Sequence, residues 1–366
     1  MVMDIGVQTE AVQGMTSLIF GQEVEVRWLA SATKNLGVDR RLRVMAPIHP
    51  QVGDVVVVRT LTESEVYNRL ELRNGETVRL GRGDIFAGVL GRRKALKGFV
   101  GDVPSSLAIG DRLHMLNQGG LIGLCTGHYH ELGEPIEVEV LGVVVHGERV
   151  LNLRDYALRP MASLPTCAPI VIIAGACMHS GKTQVAASLI QGLTSKGYRV
   201  AGAKLSGVAC LRDTLKMEAQ GAFQTLSFLD CGHPSTVGVE DLTSVARDIV
   251  GHLSLQNPDL IVMELGDGLL GGYRVDTVFE DAELMKHCAA VVFCANDFVG
   301  AWGGIHLLQK KGVGIDVIAG SATDSPMGVE YIERELGVSA ANALTQADAL
   351  VQKVEDKIKQ TMHKAA

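Results

Sequence analysis

The sequence predicts an α/β fold: a P-loop NTPase with a mainly parallel sheet in its C-terminal half, preceded by a mostly β region built as a barrel or sandwich. Three observations carry this expectation. From residue 170 onward, wholly apolar segments alternate with helical patterns, which implies a parallel sheet covered on both faces. A glycine-rich turn ending in Gly-Lys-Thr follows the first of those segments. Residues 1–157 instead carry short strand signals separated by turn formers, with little helical periodicity.

A chain of 366 residues, 47% hydrophobic and 20% charged, suits two cores and does not read as disordered. The formal net charge of −7 argues against general nucleic-acid binding. Cations are nonetheless dense between Arg69 and Lys97, which fits either a solvated hairpin surface or a local anion-binding face. The first twenty residues have an early aspartate and no basic segment before an apolar core, so no leader is expected. No run approaches the roughly 20 apolar residues of a membrane span. Seven scattered cysteines do not form a disulfide framework. A cytoplasmic protein that does not engage membranes is the expectation.

In the first half, "EVEVRWLA", "DVVVVRTL", "NRLELRNGETVRL" and "IEVEVLGVVV" read as strands, and Asn74-Gly75 between alternating runs marks a hairpin. Residues 158–169, with prolines at 160, 165 and 169, oppose regular structure and read as a linker. Residues 170–366 then form the P-loop half. "IVIIAG", "YRVAGAK", "DLIVMEL", "AAVVFCA" and "GIDVIAG" are strands; helical patterns include those starting at Lys182, Leu211, Val239, Gly303 and Met327.

In "AGACMHSGKTQVAASLI", Gly175 and Gly181 enclose five residues where the usual phosphate loop has four. Glycines let backbone amides point at phosphate oxygens, and the helix N-terminus adds partial positive charge. Lys182 would neutralise the β- and γ-phosphates, and the Thr183 hydroxyl would ligate Mg²⁺. The expected nucleotide contacts are Gly175, Ala176, His179, Ser180, Gly181, Lys182, Thr183 and Gln184.

Residues 166–340 resemble the dethiobiotin synthetase class, which includes the cobyrinic acid a,c-diamide synthases. That class groups with molybdopterin-linked nucleotide-binding proteins and nickel-chaperone GTPases. The resemblance rests on the longer loop and on "AGAKLSG", "LRDTLKMEAQGA" and "LIVMELGDGLLGG" in order. It implies that Lys204 faces substrate and phosphate, and that Thr183, Asp213 and Glu264 hold Mg²⁺, with Asp267 as a substitute for Glu264. It further implies an ATP-dependent enzyme with Lys182 and Lys204 as catalytic cations, activating a small carboxylic acid by phosphoryl transfer, and working as a homodimer. A nucleotide-dependent switch or metal-delivery NTPase is the alternative.

No Asn-Lys-x-Asp occurs; Ser321 and Asp324 stand in the corresponding loop, which tilts the expectation to ATP, with GTP the other choice. Cys177, His179, Cys210, Cys231 and His233, with Cys125, His128 and His130 of the β half, could supply soft ligands to a transition metal. The competing reading of these thiols is as small buried hydrophobes.

Overall fold

The computed structural model describes residues 21–46, 49–164 and 167–365. The leader reading at the N-terminus and Pro165 of the proline-rich stretch lie outside them.

In the first half, a barrel and not a sandwich forms. Strands Glu137–His146, Val55–Thr60, Ile85–Leu90, Leu121–His128 and Arg112–Asn117 pair in that order, and the last pairs back onto the first. Ring closure satisfies backbone groups that an open edge would leave bare. The run Val55–Val58 shows why the pattern reads as continuous apolar. Val56 and Val58 join Phe86, Met115, Ile122 and Val138 in one cluster. Val55 and Val57 join Ala87 and Val89 in another, together with Ala209, Leu211 and Leu229 from the second half. One barrel wall is therefore the seam between the halves.

The hairpin at Asn74-Gly75 forms, pairing Arg69–Glu71 with Thr77–Arg79. Its connection spans residues 72–76: Leu72 N–H donates to Glu76 O at 2.8 Å, and the Asn74 side chain accepts Glu76 N–H at 3.1 Å. Gly75, at φ +82°, takes the left-handed position. The cation-rich stretch around it is partly internal. Buried Arg93 donates to the Leu116 carbonyl and faces the Tyr67 and Phe99 rings.

The second sheet has seven parallel strands: β1 (Ile170–Gly175), β2 (Val200–Lys204), β3 (Thr225–Ser227), β4 (Leu260–Glu264), β5 (Cys288–Cys294), β6 (Val317–Ala319) and β7 (Ser339–Ala340). Their spatial order is β3-β2-β4-β1-β5-β6-β7. The main helices are α1 (Lys182–Ser195), α2 (Arg212–Ala219), α3 (Leu242–Ser254), α4 (Ala282–Met285), α5 (Phe298–Gln309), α6 (Pro326–Tyr331) and α7 (Ala347–Ala365). Alternate residues of β1 serve opposite layers. Ile170 and Ile172 pack with α3, while Val171 and Ile173 pack with α1 and α7. Strands covered twice cannot alternate in polarity. Strands β3 and β7 and helix α7 extend the expected pattern. The α7 stripe Leu350, Val351, Val354 and Ile358 is buried at helical spacing. Among the described residues, no helix is long and apolar enough to cross a membrane.

The described residues of the proline-rich stretch carry no helix or strand, yet they are pinned. Leu158 N–H donates to Asp230 O at 2.8 Å, and Met161 N–H to the Asp248 carboxylate at 2.7 Å.

Helices α1 and α7 approach closely because Gly192 faces Val351; an added Cβ there would overlap the valine side chain. Gly192→Leu is expected to destabilise the fold by about 1–3 kcal/mol through overpacking, read as a lower denaturant midpoint with an unchanged slope.

Candidate functional site

The site lies where β1, β2 and β4 end together, at the carboxyl edge where α/β sheets hold ligands. Parallel register aligns Lys204 of β2 with Glu264 of β4, and Glu264 with Ile173 of β1. The turn after β1 then delivers Lys182 and Thr183 to the start of α1. Two backbones in the turn are left-handed: His179 at φ +60° and Gly181 at φ +95°. A non-glycine residue in that region is uncommon and carries a local cost.

Lys182 is buried, and its Nζ donates to the Cys177 carbonyl at 2.7 Å and the Ser180 hydroxyl at 3.2 Å. Burial lowers its pKa below the ordinary lysine value. Beside it sits a charge triad. Lys204 Nζ lies 2.6 Å from Glu264 Oε1 and 2.8 Å from Asp213 Oδ2. Burial opposes the Lys204 charge, but the two carboxylates outweigh it and hold the ammonium above its usual range. Burial would likewise raise Asp213; Lys204 reverses this and draws it down to about 2.

The Thr183 hydroxyl donates to Glu264 Oε1 at 2.8 Å and lies 3.5 Å from Asp213 Oδ1. Glu264 Oε2 is buried without a hydrogen-bond partner. A hydroxyl and two carboxylates, one of them with an unsatisfied oxygen, form a hard-oxygen set suited to Mg²⁺. The set fits that ion by its donor chemistry.

These groups line a cavity of about 340 Å³, joined by His179, Ser180, Gly181, Gln184, Arg212 and Asp267. Gln184 is already engaged, accepting from Lys216 Nζ at 2.7 Å and so tying α1 to α2. Asp267 also adopts a left-handed backbone, φ +67°, and burial raises its carboxyl pKa. Gly175 and Ala176 differ from the rest of the turn: an added Cβ at Gly175 would overlap Ser180 Oγ, and Ala176 N–H donates to Cys294 O at 2.9 Å. Both form the turn's foundation.

The loop after β6 crosses the phosphate turn, with Gly320 packed on the Ser180 carbonyl. Buried Asn342, unmarked in the sequence, donates to Asp324 Oδ1 at 2.9 Å and Thr323 Oγ1 at 3.2 Å. It fixes the Asp324 carboxylate in the loop after β6.

The cysteines and histidines do not converge. Cys177 donates to Met178 O and Asn296 Oδ1, and Cys210 to Glu71. Burial pushes the Cys210 thiol up to about 12 and the Cys231 thiol above its ordinary value, so both are held protonated. Among the described residues, no three His, Cys, Asp or Glu side chains form a metal-holding group.

Removing the triad's cation leaves two acids buried together, a loss of the kind that costs about 3–5 kcal/mol. Lys204→Met is expected to lower stability by that order in urea, and Mg²⁺ to recover part of it by binding between the carboxylates. Equal loss with and without Mg²⁺ would remove those carboxylates from the proposed metal set.

Neither a protein-family model nor a curated protein matches the chain. Solved structures that resemble it include the signal recognition particle receptor FtsY from Elizabethkingia anophelis, at 16% identity and TM-score 0.35, over 55% of this chain and 70% of that one. The cell division protein ftsY of Thermotoga maritima gives 17% and 0.37, over 55% and 74%. The signal recognition particle 54 kDa protein of Aeropyrum pernix K1 in complex with GDP gives 17% and 0.35, over 57% and 52%. Together, the parallel sheet and its Gly-Lys-Thr turn make the second half an α/β P-loop NTPase fold.

Proposed function

We propose that the chain is a nucleotide-dependent P-loop switch: the second half binds a purine nucleoside triphosphate with Mg²⁺, and the barrel responds to the bound state. The observation that carries this reading is the convergence of Lys182, Thr183, Lys204, Asp213 and Glu264 on one pocket walled by the phosphate turn. Lys182 would exchange the Cys177 carbonyl for phosphate oxygens. Thr183, Asp213 and Glu264 would hold Mg²⁺, which when bound supplies positive charge beside the β- and γ-phosphates. Lys204 would turn from its carboxylates toward the phosphates. The seam formed by Ala209, Leu211 and Leu229 lies on the segments that follow β2 and β3, so movement there reaches the barrel wall.

Although the loop lacks Asn-Lys-x-Asp, its Asp324 carboxylate, if it meets the base, would suit guanine better than adenine. A carboxylate offers only acceptors, and the guanine edge presents adjacent N–H donors where adenine presents a donor and an acceptor. On this reading GTP is the preferred ligand, with ATP the other choice.

A second reading keeps phosphoryl transfer to a small carboxylic acid, with Lys182 and Lys204 stabilising the charge that moves. Lys204, lining the same pocket as Lys182, supports it, because a second cation suits the charge that moves in phosphoryl transfer. It requires turnover that depends on an added acid; slow hydrolysis unaffected by acids supports the switch.

A ligand bound only by the folded state raises the melting temperature by mass action. Mg²⁺-GTP is expected to raise it in the intact chain, and Lys182→Ala to abolish the shift; retention of the full shift by that variant would end the site assignment. Asp324→Ala should weaken GTP by about 10–100-fold, the worth of hydrogen bonds to a charged group, and leave ATP nearly unchanged.

A further inference from the structure

Helix α2, which carries Asp213 in its first turn, begins without a cap of its own. Its N-cap position is Leu211, whose side chain accepts nothing, and the first backbone N–H groups of a helix need outside partners. Those partners come from the two-stranded hairpin 69–79 of the first half. Glu71 lies on the strand Arg69–Glu71, 140 residues earlier in the chain, and is 3% exposed. Its Oε2 accepts Leu211 N–H at 2.7 Å; its Oε1 accepts Arg212 N–H at 3.0 Å and the Cys210 thiol at 3.1 Å. A carboxylate at that end also meets the favourable pole of the helix dipole.

Glu71 is itself braced. Its backbone N–H donates to Gln118 O at 2.7 Å, and Arg73 anchors the hairpin through Thr33 Oγ1 at 3.0 Å and the Val38 carbonyl at 2.7 Å. The hairpin tip grips the helix again, with Gly75 packed against Leu215 so closely that a Cβ would overlap it. On its other side, the same turn reaches Lys204 and Thr183 through Asp213. The first turn of α2 is thus clamped between the hairpin and the phosphate turn.

Resting on the nucleotide reading above, we propose that Glu71 is a positioning residue: it sets Asp213 for the Mg²⁺-bound state and couples that state to the barrel. Because coupling free energies are reciprocal, a partner that binds one arrangement of the hairpin and Mg²⁺-nucleotide would change each other's affinity by the same factor.

The test is a titration of GTP against the intact chain, Glu71→Gln and Glu71→Ala, with Mg²⁺ and with EDTA, alongside thermal unfolding. Glu71→Gln keeps the size and one acceptor oxygen and serves where the alanine variant does not fold. The Mg²⁺ concentration for half-maximal tightening of GTP is expected to rise about fivefold in Glu71→Ala, the worth of a typical helix cap, and less in Glu71→Gln. Affinity in EDTA should stay within about twofold, because the phosphate turn is untouched. An unchanged Mg²⁺ midpoint in a folded variant overturns the proposal, as does a parallel loss of affinity in EDTA. Failure of the intact chain to bind GTP or ATP at all overturns the nucleotide reading, and this proposal with it.

Discussion

The ammonium of Lys204 is the constraint on which the rest of the second half depends. An ammonium at the end of a buried strand pays several kcal/mol in lost hydration, and only near-ideal contacts offset that loss. Lys204 receives two carboxylates within 2.8 Å. Glu264 reaches it only because β2 and β4 run in parallel register to the same rung. Asp213 reaches it because the connection 205–211 after β2 brings the start of α2 back to the same sheet edge. Strand ends, register and the start of α2 are therefore tied to a single charge.

The triad also accounts for the contrast between its two acids. Glu264 is almost fully enclosed, shares Oε1 between Lys204 and Thr183, and leaves Oε2 without a partner. Asp213 is more open and faces Arg212 as well, at 3.6 Å. A divalent cation would meet one ready oxygen on Glu264 and would have to compete with Lys204 for Asp213. Of the two, Asp213 is the side chain whose position is conditional.

The parts readable in the sequence are those whose residue types the chemistry dictates. Phosphate binding calls for glycine, lysine and threonine in order, so the turn at 175–183 stands out. Strands covered on both faces are apolar throughout, so "IVIIAG" and "LIVMEL" stand out as well. Lys204 and Glu264 fall at strand ends in the sequence, but their mutual pairing depends on register between strands 60 residues apart. Asn342 gave no signal, because an amide that buttresses a loop looks like any surface amide. Barrel closure was hidden because its decisive contact pairs Ile85–Leu90 in parallel with Leu121–His128, which no hairpin pattern announces.

Glu71 was the hardest to read for the same reason that makes it informative. It stands in a stretch dominated by arginines and lysines, alternating as a solvated hairpin would. Its burial arises only when the other half of the chain supplies three donors to it. A buried carboxylate held solely by donors from the other half stabilises the seam only while those donors stay in place, because separation leaves a desolvated charge on one side and bare helix N–H groups on the other. The seam therefore favours one arrangement of the 210–213 segment, and Asp213 is a member of that segment. Geometry at the Asp213 carboxylate and docking of the hairpin share one local structure, so a shift in either bears on the other.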